Sequence, residues 1–232
     1  GMLSIQGFNN QFSLYALWPN LVRTSTVPDE GIETDIIYGR SGSYSDLNGL
    51  NLKDNIILLD FNSWNNWLIS ASLGAKAVIF IEPEQSGRAQ ANEKFTSAPL
   101  DIPRFWIDRD SGVLLREILK EKSLRAKIKS RMDWKRGRGN NFHVRIEGTD
   151  PILKKETVIV EAYFDGISIV PALAPSAETA SSIAVLLEYA KYLKKNKPLR
   201  TVVLAATDAH FIGMRGISEF LDNHARNNPY YR

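Results

Sequence analysis

Two kinds of apolar run alternate along this chain. Continuous β-branched and aliphatic runs occur at 55–61 (NIILLDF), 77–83 (AVIFIEP), 157–164 (TVIVEAYF) and 200–208 (RTVVLAATD). Such runs mark strands covered on both faces. Between them, apolar residues recur at three- and four-residue spacing. Over 63–75, Trp64, Trp67, Leu68 and Ala71 share one side and Gly74 ends the pattern. Residues 111–122 (SGVLLREILKEK) form a second amphipathic segment. Over 176–196, Ile183, Leu186, Leu187, Ala190 and Leu193 make an apolar stripe, and lysines crowd the last turn, where the helix dipole favours cations. Residues 211–224 also read as helical, while 33–40, 103–110 and 140–147 read as strands. Alternating strands and helices predict an α/β class, with the strands at 157–164 and 200–208 parallel across their helix.

Three segments are predicted: an extended arm at 1–32, rich in aromatics but without sustained period, an α/β module at 33–135, and a second module at 136–232. Residues 85–99 read as a polar loop. Arg125, Lys127, Lys129 and Arg131 fall at every second position with Ala126 and Ile128 between them, the pattern of a strand with one wet basic face.

Composition narrows the classes. The chain has 232 residues, 44% hydrophobic and 24% charged, as in ordinary globular proteins. No apolar run approaches the roughly 20 residues of a membrane span. The opening Gly-Met reads as an expression scar or a trimmed start. There is no cysteine, which excludes disulfides and thiol catalysis. A formal charge of +3 without aromatics interleaved in the basic stripe does not point to nucleic acid.

The candidate chemistry lies where buried strands end, as is usual in open α/β sheets. At 161–166 the strand turns polar, with Glu161, Tyr163 and Asp165 alternating before Gly166; the next strand ends in Thr207, Asp208 and His210. His143 on its half-exposed strand reads as a packing or surface residue, and Asp222 and His224, two apart on a helix, do not share a face. The chain has no Gly-rich phosphate loop and no Gly-x-Ser-x-Gly elbow.

Residues 49–83 (GLNLKDNIILLDFNSWNNWLISASLGAKAVIFIEP) and 102–119 (IPRFWIDRDSGVLLREIL) resemble the protease-associated domain. Residues 140–220 resemble the front part of the di-zinc aminopeptidase-like metallopeptidases (clan MH, family 28), the group holding glutamate carboxypeptidase and the transferrin receptor. The resemblance implies a protease-associated-like α/β domain followed by an incomplete three-layer αβα aminopeptidase-like domain. It also implies a metal site whose positions are altered. Tyr163 stands where the family has a zinc-binding histidine, and Asp165 keeps the place of the aspartate that orients that histidine. Glu178 stands at the bridging aspartate, Thr207 at the general-base glutamate and Asp208 at the ligand after it, with His210 nearby; the family's last two ligands fall past residue 232.

Chemistry bears on each replacement. A phenol with a pKa of about 10 stays protonated near neutrality and is a poor zinc ligand. A threonine cannot take a proton from water as a carboxylate can. The expectation is a non-catalytic relative of the di-zinc aminopeptidases, a binding or assembly module of a larger extracytoplasmic protein (periplasmic, secreted or membrane-anchored), with a protein or peptide partner and no cofactor. The alternative is an active metal-dependent aminopeptidase or carboxypeptidase that uses zinc with divergent ligands or is completed by residues outside this chain; a third reading is an interaction module working through the aromatic N-terminal segment. The strand at 200–206, apolar on both faces and without charged gatekeepers, is expected at an open sheet edge, so the chain is expected to be a fragment or to self-associate.

Overall fold

The computed structural model describes residues 1–19, 23–95, 100–174 and 177–226, and among these every side chain but those of 177–179 and 225–226. The chain divides into two units: Gly1–Trp134 with Ser168–Leu173, and Lys135–Ile167 with Ala174–Arg232.

The first unit is built on β1 (Met2–Ile5), β2 (Phe12–Ser13), β3 (Tyr15–Ala16), β4 (Ile32–Tyr38), β5 (Ile56–Asp60), β6 (Ala77–Ile81), β7 (Arg104–Ile107) and β8 (Leu124–Lys129). They form one mixed sheet in the order β2-β1-β8-β4-β5-β6-β7-β3, parallel from β4 through β7 and antiparallel where β8, β1, β2 and β3 join. The continuous apolar runs have the predicted cause. In β5, Ile56 and Leu58 enter one core while Ile57 and Leu59 enter the other; in β6, Ile79 and Phe80 divide the same way. Each such side chain, taken out of water, contributes about 1.5–3 kcal/mol.

Short helices α1 (Tyr44–Leu47), α2 (Trp67–Ser72) and α3 (Arg88–Asn92) and the longer α4 (Arg109–Leu119) accompany the sheet. Leu115 and Leu119 of α4 fill the first core, and Trp67 of α2 fills the second, which Ile169 and Val170 also enter. Asp108 caps α4 by accepting the Ser111 N–H at 2.9 Å. Gly112 lets that helix lie on the sheet, since a Cβ there would stand 2.6 Å from Ile81 Cγ2.

The structure corrects three expectations in this unit. The first 32 residues, read as an arm without regular elements, supply β1, β2 and β3. The alternation of buried Leu3 and Ile5 and of buried Phe12 and Leu14 was too brief to register as a period. The polar stretch at 85–99 contains α3. Trp64 stands outside α2 with a left-handed φ of 48°. That turn is held from both sides by the α3 segment: Gln90 Oε1 accepts the Trp64 N–H at 2.8 Å, and Lys94 Nζ donates to the Trp64 carbonyl at 2.7 Å.

Lys94 is fully buried, with its ammonium 4.8 Å from the centre of the Phe61 ring, and burial pulls its pKa down to about 8. Arg104, also buried, donates to the carbonyls of Trp18 and Lys94 and lies over the Trp67 ring. Carbonyls and aromatic faces, rather than carboxylates, hold these two cations. The basic stripe on β8 is the wet face of an antiparallel strand, as its alternation predicts: Ala126 and Ile128 are buried, and Lys127 pairs with Glu33 at 2.9 Å.

The second unit has a sheet of β9 (Phe142–Ile146), β10 (Thr157–Tyr163) and β11 (Thr201–Thr207). Leu186 and Leu193 of α5 (Ala177–Lys195) pack on one face against Ala162, Val202 and Leu204. Phe220 of α6 (Arg215–Leu221) packs on the other against Val203 and Ala205. The mixed α/β class and the helix–sheet–helix layering are as expected. Leu187 is not in the buried stripe, being 57% exposed.

One expectation about this sheet is overturned. The strand order is β10-β11-β9, so the strand at 201–207 is central, paired by its own chain on both sides. Its sequence reads as central because it is central. Among the described residues the edges are β10 and β9. Hydropathy showed which strands were covered on both faces but not that β9, antiparallel and arriving from upstream, takes the far side of β11.

Candidate functional site

The register of the parallel pair places Tyr163 opposite Thr207, so the polar ends of β10 and β11 come together as the sequence implies. Side-chain alternation puts Glu161, Tyr163 and Thr207 on the face that packs α6, since Ile159 and Val203 face that way. Thr207 is 1% exposed, and its hydroxyl donates to Glu161 Oε1. The acid at the strand's end is therefore held by Thr207.

The Tyr163 ring lies flat on His210, with centroids 3.7 Å apart and planes 13° from parallel, and Phe211 meets both edge-on. A tight turn delivers His210 to this stack. Ala209 and Met214 take left-handed φ values of 56° and 55°, and Met214 N–H donates to the His210 carbonyl at 2.8 Å. Asp165 Oδ2 accepts the Phe211 N–H at 3.4 Å, while its Oδ1 is buried with no partner among the described residues.

Asp208 serves the same turn. Its Oδ1 accepts the following Ala209 N–H at 2.7 Å, and its own N–H donates to Asn141 Oδ1 at 3.1 Å. Asn141 then donates to the Gly216 carbonyl at 2.8 Å, tying the start of α6 to the end of β11. The approach is so close that a Cβ on Gly216 would stand 2.0 Å from the Asp208 carbonyl oxygen. Sequence reasoning did not find Asn141: nothing local to it signals a partner 67 residues away.

The other histidines lie apart from this group. His143 packs 5.4 Å from Phe220 and 4.8 Å from His224, and His224 stacks on Phe220 at 4.6 Å, so both have the packing role expected of His143. Glu178 is the second residue of α5, and its side chain lies outside the described residues.

The fit of this set to a di-zinc centre can be judged from its donors. Among the described residues no three His, Asp or Glu side chains converge on a point that could hold a metal ion. Tyr163 presents its ring to His210, Asp208 uses an oxygen on its own turn, and Thr207 is enclosed. The described donors do not fit such a centre. What they form is an aromatic platform beside a carboxylate with one unpartnered oxygen.

Comparison with known proteins agrees with the fold. No curated protein sequence matches the chain. Among solved structures, the Aminopeptidase from Aneurinibacillus sp. strain AM-1 is similar at 18% identity and a TM-score of 0.50, over 97% of this chain and 53% of that one. The Peptidase M28 precursor from Shewanella amazonensis SB2B is similar at 17% identity and a TM-score of 0.60, over 96% of this chain and 54% of that one. The chain thus spans about half the length of these structures, and at such identities the likeness is one of fold. In sequence, residues 141–230 match the family described as Peptidase family M28, which relates the second unit to those peptidases.

Proposed function

We propose that the second unit is a non-catalytic relative of the M28 peptidases that binds a protein or peptide, within a larger extracytoplasmic protein, and that the first unit is a protease-associated-like domain. The observation that carries this reading is Thr207. By the resemblance it stands at the position of the family's catalytic base; it has no carboxylate and is enclosed, with its hydroxyl given to Glu161. The stack of Tyr163 on His210 supports it, because a ring engaged face to face is poorly placed as a metal ligand. On this reading no zinc is required.

Two measurements test it together. The purified chain should hydrolyse no aminoacyl or peptide chromogenic substrate with added zinc or cobalt, and metal analysis should find well below one equivalent of zinc. Loss of a general base alone removes a factor of about 10²–10⁴ in rate. Chelator-sensitive turnover abolished by Asp208→Ala would overturn the proposal. The second reading, an active zinc peptidase, has one observation in its favour: Asp165 keeps a buried oxygen without a partner among the described residues, as a carboxylate awaiting a ligand-bearing neighbour would.

A further inference from the structure

We propose that the first unit carries a saccharide-binding site at the carboxyl ends of β4, β5 and β6, with the exposed ring of Trp64 as its stacking surface and an uncharged oligosaccharide as its ligand. These three strands are adjacent and parallel, so the segments that follow them, at 39–45, 61–66 and 82–93, emerge side by side. Open α/β sheets bind their ligands at this end, where loops vary without disturbing the strands.

Side chains lace the three segments together. Asn66 Nδ2 donates to the Ser41 carbonyl at 3.2 Å, joining the first to the second. Asn62 Nδ2 donates to the Gln85 carbonyl at 2.8 Å and its Oδ1 accepts the Ser86 hydroxyl at 2.9 Å, joining the second to the third. Gln90 and Lys94 add their two bonds to the Trp64 backbone. A bulky residue with a φ of 48° sits in a conformation that glycine would adopt without strain. The fold holds tryptophan there all the same, and buries a lysine to do so, although the indole itself is 55% exposed. Core packing does not call for that ring. What the bonds fix is the direction in which an exposed indole points.

The chemistry around the ring selects the ligand. No residue at 41–45, 61–66 or 85–87 is charged, although charged residues make up 24% of the chain. Hydroxyls and carboxamides stand there instead. The side chains of Asn65 and Gln85 are exposed and make no hydrogen bond among the described residues. Each carboxamide offers two donor hydrogens and an acceptor oxygen, which suits a pair of neighbouring sugar hydroxyls. A pyranose has a face of C–H groups that lies flat on an indole, where apolar area and the ring's negative face both favour it. Tyr44, 75% exposed in the first segment, supplies a second ring for a longer chain of sugar units. A saccharide buries little apolar area, so its affinity depends on a ring already held in place, as the Gln90 and Lys94 bonds hold this one. Arg40 and Arg88 flank the uncharged stretches, so a sulfated saccharide is the contrasting probe.

The site consists of first-unit residues alone and does not rest on the reading of the second unit: peptide hydrolysis would overturn that reading and leave this one intact. The whole chain should be titrated with cellohexaose, chitohexaose, mannohexaose and a sulfated hexasaccharide, followed by calorimetry and saturation-transfer NMR. At least one uncharged hexasaccharide should bind saturably, with an affinity insensitive to salt. Trp64→Ala, at an exposed position, should leave the circular dichroism unchanged and raise the dissociation constant by at least about 10-fold. Trp64→Phe keeps a flat ring and should keep most of the affinity. Asn65→Ala with Gln85→Ala should weaken binding by a smaller factor than Trp64→Ala. No saturable binding of an uncharged hexasaccharide, binding of the sulfated one alone, or binding indifferent to Trp64→Ala would each overturn the proposal.

Discussion

The two units of this chain finish their sheets differently. The first ends in strands of two residues on either side, β2 and β3, with little backbone left unpaired. Among the described residues the second has β10, of seven residues, at one edge and β9, of five, at the other. The first fills a core on each face of its sheet, from Leu3 to Ile128 on one and from Leu17 to Val170 on the other. The second has two small clusters, led by Leu186 and Leu204 under one helix and Phe220 under the other. Short terminal strands leave little backbone unpaired at the edges of the first sheet, and cover on both faces fills its cores.

Core substitution should separate the units most sharply. Phe80→Ala, in the second core of the first unit, should cost about 3–5 kcal/mol. All five tryptophans lie in 1–134, so fluorescence follows that unit alone, while far-UV circular dichroism follows both. Denaturant titration should show the fluorescence midpoint falling while the remaining dichroism transition stays. If both move together, the units do not unfold separately and the contrast fails.

Two glycines sharpen the comparison at a smaller scale. Gly112→Ala presses on the Ile81 side chain, which can yield, and should cost about 1–3 kcal/mol. Gly216→Ala presses on the Asp208 backbone carbonyl, which cannot yield without shifting the turn, so it should exceed Gly112→Ala. Thermal melts of the two variants check the order; equal costs would show that the turn after β11 is soft.

Between about pH 8 and 10.5 the pH dependence should belong to the first unit. Lys94 has a folded pKa of about 8 against an ordinary 10.5. Between these values the unfolded chain holds a proton that the folded one lacks, so this residue makes stability rise with pH across that window and adds no slope well below or above it. Lys94→Met should remove that slope from the fluorescence-detected transition. A slope unchanged by the substitution would mean that the ammonium is not desolvated.

The smallest effect should come from the basic stripe. Lys127→Ala breaks an exposed pair with Glu33 and should cost no more than about 1 kcal/mol. A larger loss on urea titration would give that stripe a structural role beyond the wet face of β8.

Legibility followed the physical range of each signal. β5, β6 and β11 could be read because burial on both faces writes a continuous apolar run, and α4 and α5 because one buried face writes a 3.6-residue period; β10 carries the same kind of run, although only Ala162 in it is buried. β2 and β3 were missed because two residues hold no period, and α3 because Gln90 and Lys94 act on a turn some 26 and 30 residues away. The convergence of Tyr163 and Thr207 was legible, since both end parallel strands marked by apolar runs. The Thr207–Glu161 bond, the ring stack on His210 and the clamp by Asn141 were not. Each depends on a register or turn conformation that no local pattern specifies.

Ile169 and Val170 close a core whose other members end at Ile102. Trp18 N–H donates to the Ile169 carbonyl at 2.6 Å, so this return is bonded into the N-terminal part of the chain as well as packed there. During synthesis the first unit therefore cannot be finished when its contiguous part, through Trp134, has emerged. It must wait for Ser168–Leu173, by which time β9 and β10 have already left the ribosome. Vectorial folding here is out of order: two strands of the later unit are exposed, without β11 between them, while the earlier unit still lacks its last pieces.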